Sequence, residues 1–110
     1  MITHTREIAD TLEIQLEEFK TLLNTILNEY ISEEAISQNG SSITESKDDE
    51  YSYLTATWNF LNDDMKRKYE GVILKRLLED SRGYPIYNRP AQTPQNSLTH
   101  SMTFSFKKLR

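Results

Sequence analysis

This chain has 110 residues, of which 36% are apolar and 27% are charged, and its formal net charge is −4. The length fits one domain, and leucine, isoleucine and aromatic residues are too frequent for a disordered chain. The sequence contains no cysteine. This excludes disulfide scaffolds, thiolate metal sites and cysteine nucleophiles.

The two parts of the chain carry opposite charge. Residues 1–64 contain 3 basic and 14 acidic side chains, whereas residues 65–110 contain 10 basic and 3 acidic ones. Such a division predicts either a nucleic-acid-binding segment or attraction between the two parts of one fold.

Targeting signals are the next feature to consider. No apolar run approaches the length of a membrane span, and the first residues, MITHTREIADT, lack the apolar core of a signal peptide. We therefore expect an intracellular protein, cytoplasmic or, in a eukaryote, nuclear, without membrane contact.

The first predicted element is a helix over residues 6–34. Its apolar side chains recur at alternating spacings of three and four, which is the pattern of an a/d heptad stripe. The stripe consists of Leu12, Leu16, Phe19, Leu23, Ile26 and Tyr30. Such a helix is about 40 Å long, which exceeds the size of a compact globule of this chain length. A second helix or another chain must therefore cover the stripe.

Residues 37–47, SQNGSSITESK, predict a loop, and residues 49–80 then allow two interpretations. A helical stripe runs through Tyr51, Leu54, Trp58, Leu61, Met65 and Tyr69. Residues 51–60 also alternate between apolar and polar side chains, and threonine favours strands. We predict a helix over 49–80 because the stripe continues in phase, with a break at residues 62–64 where an aspartate caps the second part. The alternative is a strand over 51–60.

The C-terminal segment has a different character. Three prolines exclude a regular helix through YPIYNRPAQTP. Residues 98–107 then alternate strictly between apolar and polar side chains, which predicts a β-strand. A lone strand leaves its backbone unpaired. It must pair with residues 51–60, with a second copy of the chain or with a partner protein.

Together these elements predict a mainly α-helical protein. The two helices, about 6–34 and 49–80, form a long antiparallel hairpin of the kind found in helical bundles and coiled coils. Residues 1–83 make a helical domain, and residues 84–110 make an extended arm with one strand. Folding the chain about residue 41 places Lys75 and Arg76 near Glu7, which explains the charge division within one chain.

Catalytic chemistry has little support in this sequence. The histidines are His4 and His100, and neither lies in a recognisable catalytic or phosphate-binding motif. Carboxylates cluster at residues 48–50 and 63–64, where hard metals are one option, but acids at helix starts explain both clusters. We therefore expect no enzyme, metal, cofactor or small-molecule substrate.

The function we predict is a non-enzymatic protein–protein interaction module. It is expected to form a homodimer or to be a small subunit of a larger assembly, because a two-helix hairpin leaves much of its apolar stripe exposed. The interface residues predicted are Leu12, Leu16, Phe19, Leu23, Ile26, Tyr30, Trp58, Leu61, Met65 and Tyr69.

Nucleic-acid binding is the alternative function. Basic side chains in the second helix and the C-terminal segment would neutralise phosphates, and nearby aromatic rings would stack on unpaired bases. The contacts predicted for this alternative are Lys66, Arg67, Lys75, Arg76, Arg82, Arg89, Lys107 and Lys108.

Overall fold

The computed structural model describes residues 2–88, 93–94 and 98–108 of the chain. They form an α+β fold in which two helices cover one face of an antiparallel sheet. The elements in chain order are α1 (Ile2–Ser32), β1 (Ser42–Lys47), β2 (Tyr51–Asn59), α2 (Asp63–Asp80), β3 (Ile86–Asn88), β4 (Thr93–Pro94) and β5 (Thr99–Lys107). A short 3-10 helix, Ser81–Gly83, follows α2.

The strand order of the sheet is β1-β2-β5-β3, and the short β4 pairs with β5 as well. The central pair is β2 with β5, whose nine-residue register runs from Tyr51 opposite Lys107 to Asn59 opposite Thr99. Residues 48–50 join β1 to β2 as a hairpin. Strands β1 and β3 are therefore at opposite edges, and each strand has alternate residues on the two faces of the sheet.

The predicted helical hairpin is wrong, and the alternative with a strand over 51–60 is the observed structure. Residues 51–59 are strand β2, and only the later part of the predicted second helix is helical, as α2. The apolar residues of this segment fit both periodicities over ten residues. Pairing with β5 decides between them, because β5 must satisfy its backbone hydrogen bonds.

The helical bundle and coiled coil are wrong as well, because the stripe of α1 packs mainly on the sheet. The ring of Phe19 lies 4.8 Å from that of Phe104 and 5.6 Å from that of Phe106, both on β5. The helix predicted at 6–34 and the strand predicted at 98–107 are present as α1 and β5. Residues from the predicted arm therefore lie in the same core as α1.

The start of α2 differs in detail from the prediction. Asn62, rather than an aspartate, is the N-cap residue, and its Oδ1 accepts a 2.9 Å hydrogen bond from the amide of Met65. Asp63 and Asp64 occupy the first turn, where the helix dipole favours negative charge. The break predicted at residues 62–64 is therefore the boundary between β2 and α2.

The core lies between the helices and one face of the sheet. Strand β2 contributes its even-numbered residues to this face, and its odd-numbered residues stay half-exposed. The largest fully buried side chains are Trp58, Phe19, Phe104, Phe106, Leu23, Ile26, Ile36, Leu54, Ile73, Leu77 and Met102. Among the residues that the structure describes, neither helix is long and apolar enough to cross a membrane.

An ion-pair network joins the two helices. Arg76 on α2 donates to Glu29 on α1 at 2.5 Å and to Asp80 on its own helix at 2.7 Å. These bonds raise the pKa of the guanidinium. The attraction between the acidic and basic parts of the chain is thus present, and Arg76 pairs with Glu29 in the C-terminal part of α1. The side chain of Glu7, the predicted partner, lies outside the described part of the structure.

His100 is a buried histidine on the core face of β5, and 2% of its surface is exposed. Its ring lies 6.3 Å from the ring of Trp58 and 5.2 Å from that of Phe60. Neither ring nitrogen has a hydrogen-bond partner among the described residues. Burial lowers the pKa of His100, while the nearby charges of Glu70 and Lys66 on α2 act in opposite directions.

We predict that acid destabilises the fold through His100. The unfolded chain takes up a proton near pH 6.5, whereas the buried imidazole resists it, so stability falls as the pH drops below 6.5. The loss is at most about 1.4 kcal/mol per pH unit. Urea unfolding at several pH values between 7.5 and 5 measures this loss in the free energy of unfolding. His100→Leu should abolish the slope in this range, and His4→Gln should keep it; an unchanged slope in His100→Leu contradicts the prediction.

Alanine substitutions at two glycines are predicted to change the stability of the protein in opposite directions. A Cβ at Gly40 would lie 2.5 Å from the Cβ of Asn59, whereas a Cβ at Gly71 in α2 would meet nothing within 4 Å. Gly40→Ala should therefore destabilise the protein by about 1–3 kcal/mol. Gly71→Ala should stabilise it by about 1 kcal/mol, since glycine is costly inside a helix. Chemical denaturation measures the change in the free energy of unfolding for each variant. A change of the same sign in both variants would contradict the prediction.

Candidate binding face of the sheet

The sheet has one face that the helices leave uncovered, which we call the open face. It consists of the residues that alternate with the core residues along β1, β2 and β5. These are Ser42, Thr44, Ser46, Tyr51, Tyr53, Thr55, Thr57, Asn59, Thr99, Ser101, Thr103, Ser105 and Lys107. All are half-buried or exposed except Ser101, which is buried.

The open face is almost free of charge. Lys107, at one end, is the only charged residue of the strand positions that make up this face, although charged residues form 27% of the chain. Hydroxyl side chains dominate the rest, and Thr55 and Thr103 hydrogen-bond to each other at 2.8 Å across β2 and β5. The face therefore offers hydroxyl groups rather than charges.

Three tyrosines cluster at the end of the face where β2 begins. Tyr51 and Tyr53 are two residues apart on β2, and Ser105 is opposite Tyr53 on β5. Tyr87 sits at an irregularity in the pairing of β3 with β5 and is 59% exposed. The ring of Tyr51 lies 6.1 Å from that of Tyr53 and 5.1 Å from that of Tyr87. These three rings and Ser105 line a cavity of about 210 Å³, the tyrosine pocket.

The hairpin turn before β2 fixes the hydroxyl of Tyr53 and the backbone at Tyr51. Asp48 Oδ1 accepts 2.8 Å hydrogen bonds from the amides of Glu50 and Tyr51, and Asp48 Oδ2 accepts a 2.5 Å bond from the hydroxyl of Tyr53. Lys108 holds the turn from the other side, since its ammonium donates to the carbonyl of Asp48 and its amide to that of Glu50. The turn, the first residues of β2 and the end of β5 are thus one connected unit.

The pKa values of this unit reflect the same contacts. The bond to Asp48 raises the pKa of Tyr53 to about 12. That bond and the two amides lower the pKa of Asp48, and a hydrogen bond with Tyr87 raises the pKa of Tyr51. At neutral pH Tyr51 and Tyr53 are therefore protonated and Asp48 is ionised. Shifted pKa values beside a pocket are one indicator of a functional site.

A second concavity, the helix groove, lies between the first half of α1 and the β1–β2 hairpin. Helix α1 has 31 residues and is about 46 Å long, whereas the nine residues of β2 span about 30 Å. The groove has a volume of about 450 Å³. Its lining consists of Leu12, Glu13, Leu16, Glu17, Glu45, Lys47, Ser52 and Lys108. The charged side chains of this lining are three acidic and two basic ones.

The structure separates the predicted interface residues into three groups. Those that are buried in the core are Phe19, Leu23, Ile26, Tyr30 and Trp58. Those that are half-buried are Leu12, Leu16, Met65 and Tyr69, while Leu61 is 48% exposed. An interface through this stripe stays a prediction. It would have to use its few accessible members, because the buried ones already pack inside the chain.

The predicted nucleic-acid contacts are also dispersed. Lys66, Arg67, Lys75 and Arg76 lie on α2, on the other side of the sheet from the open face. Three of these four have acidic partners: Arg67 pairs with Asp64, Lys75 with Glu79 at 4.0 Å, and Arg76 with Glu29 and Asp80. Arg82 lies in the 3-10 helix, Lys107 and Lys108 lie near the tyrosines, and Arg89 is outside the described residues.

The carboxylate clusters have structural partners. Asp48 belongs to the hairpin turn, and Asp63 and Asp64 belong to the first turn of α2. In the part of the chain that the structure describes, no three histidine, aspartate or glutamate side chains gather in a way that would hold a metal ion.

The tyrosine pocket was not among the sequence-based predictions. The predicted helical stripe includes Tyr51 but not Tyr53. The signal was present in the alternation Tyr51, Tyr53, Thr55 and Thr57, which a strand places on one face. Tyr87 carried no such signal, since its position depends on the irregular pairing of β3.

Comparison with known proteins gave no relative. No protein-family model matches the chain, no curated protein matches its sequence, and no solved structure matches its fold. The function must therefore be argued from the surfaces described above.

We predict that Tyr53→Phe raises the pKa of Asp48 toward its ordinary value. The phenol is the largest cause of the low pKa of this carboxyl, and phenylalanine cannot donate the hydrogen bond. NMR titration of the Asp48 carboxyl carbon between pH 2.5 and 6 measures the change. Thr57→Val is a control on the same strand that should leave the pKa unchanged. An unaltered Asp48 titration in Tyr53→Phe would show that this bond does not form in solution.

Proposed function

We propose that this chain is a non-enzymatic protein–protein interaction module whose contact surface is the open face of the sheet. The observation that carries the proposal is the near absence of charge on this face in a chain with 27% charged residues. The centres of protein interfaces are depleted of charged residues and enriched in tyrosine.

The side chains of the open face suit protein recognition. Tyrosine offers a large, stiff contact surface, and serine or threonine hydroxyls adapt their hydrogen bonds to the partner, which is the combination that antibody paratopes use. The rings of Tyr51, Tyr53 and Tyr87 contact one another, and the hydroxyl of Tyr53 is bound to Asp48. Little conformational entropy is therefore lost when a partner binds them.

The size of the open face is adequate for such a contact. Strands β2 and β5 are about 30 Å long and the six-residue β1 is about 20 Å long, so three strands about 4.8 Å apart give an area of roughly 400 Å². A standard interface covers about 800 Å² per partner. The open face therefore supplies about half of this area, and its rim supplies the remainder. The partner is a different protein or a second copy of the chain.

Nucleic-acid binding has less support from the geometry. The basic residues of α2 lie on the opposite side of the sheet from the tyrosines, and several are paired with acids. Asp48, Asp49 and Glu50 lie beside the tyrosine pocket, where they would repel phosphate groups. The tyrosine rings that would stack on bases are therefore separated from most of the basic side chains that would bind phosphates.

Site-specific photo-crosslinking tests the proposal. The photoreactive residue p-benzoylphenylalanine would replace Thr57 at the middle of the open face or, as a control, exposed Asn28 on α1. In the cells that make the protein, we expect a defined adduct from position 57 and none from position 28. Its mass identifies a second copy or another protein. No adduct from 57, or the same adducts from both positions, would contradict the proposal.

A charge substitution gives the corresponding affinity measurement. Thr57→Lys should weaken binding of the cross-linked partner at least tenfold, because a charge is then desolvated at the interface centre. Asn28→Lys should leave the affinity unchanged. Isothermal calorimetry, or sedimentation if the partner is a second copy, measures both variants.

A further inference from the structure

The tyrosine pocket differs from the rest of the open face in shape and charge. Its volume of about 210 Å³ is below the roughly 300–1,000 Å³ of pockets for drug-sized ligands. It therefore has room for one side chain rather than for a cofactor. The rings of Tyr51 and Tyr53 are tilted by 41°, and those of Tyr51 and Tyr87 by 47°, so they form a concave surface rather than a flat platform.

The electrostatics of the pocket favour a cation. Aromatic faces carry negative charge density and attract ammonium and guanidinium groups. Because the Tyr53 hydroxyl donates to the carboxylate of Asp48, electron density shifts toward its ring. Asp49 and Glu50 add two further negative charges in the same turn.

The two lysines near the pocket weaken this attraction without reversing it. The ammonium of Lys108 is held by the carbonyl of Asp48, and Lys107 is opposite Tyr51 on the open face. Three carboxylates therefore stand against two ammonium groups. This excess of negative charge also disfavours a phosphate or carboxylate ligand.

We infer that the tyrosine pocket receives a basic side chain, arginine or lysine, from the partner protein that contacts the open face. This inference rests on the proposed function and names the chemistry of the partner. The guanidinium or ammonium group stacks on the rings of Tyr51 and Tyr87 and faces the carboxylates of residues 48–50. The partner then carries a positive group beside the neutral surface that covers Thr55 and Thr57.

The test compares a cation with its neutral isostere. N-acetyl-arginine amide and N-acetyl-citrulline amide have nearly the same shape, and only the first is charged. Titration of each into the full-length chain, followed through the amide NMR signals of Tyr51, Tyr53 and Tyr87, should give about three- to thirtyfold tighter binding for arginine. Equal binding, or no shift of the tyrosine signals by either compound, overturns the inference.

Substitutions show which residues produce the preference for arginine over citrulline. Tyr87→Leu removes the most exposed ring of the pocket and should abolish the preference for arginine, whereas Thr44→Val, on the same face outside the pocket, should keep it. Asp48→Asn should reduce the preference as an independent variant. A preference that survives both Tyr87→Leu and Asp48→Asn would overturn the inference.

Two further outcomes separate this inference from the proposed function. Binding of a single-stranded oligothymidylate at the tyrosines, without binding of the arginine amide, would overturn the inference and assign the pocket to base stacking. A specific adduct from position 57 together with equal arginine and citrulline binding would overturn the inference alone, because the photo-crosslink does not involve the pocket.

Discussion

The antiparallel pairing of β2 with β5 is the constraint on which the rest of the structure depends. It joins Tyr51–Asn59 to Thr99–Lys107 through nine residue pairs that are 40 to 56 positions apart in sequence. Because residues of a strand alternate between the two faces, this single register assigns every side chain of the two central strands to the core or to the open face. A slip by one residue would expose Trp58 and Phe104 and bury threonines in their place.

This division assigns different physical roles to the two faces. The core face holds Trp58, Phe104 and Phe106 against α1 and α2, and burial of these large apolar groups is the main source of stability. The open face contributes β-branched and aromatic residues that suit a strand without needing cover. It is therefore available for binding without any loss of the core, and this separation is why we place the function there.

The β1–β2 turn connects the fold to the candidate site. Asp48 closes the turn through two backbone amides and also accepts the hydroxyl of Tyr53, while Lys108 at the end of β5 binds the same turn. The interactions that fix the hairpin register thus also position Tyr51 and Tyr53. This arrangement makes the pocket preorganised, and it concentrates the negative charge next to the aromatic rings.

The sequence by itself determined the local features: the length of α1, the strand at β5, the break before α2 and the charge division of the chain. These follow from periodicity, helix capping and composition over a few neighbouring residues. For residues 51–60 the helical and strand patterns coincide, so only the pairing with β5 decided the strand. That pairing placed Tyr51 and Tyr53 on one face of the sheet, and the pairing of β3 with β5 added Tyr87. Four residues of the α1 stripe, Phe19, Leu23, Ile26 and Tyr30, are buried in the core. The physical reason is that backbone hydrogen bonding between distant segments is a property of the whole chain, and local periodicity does not report it.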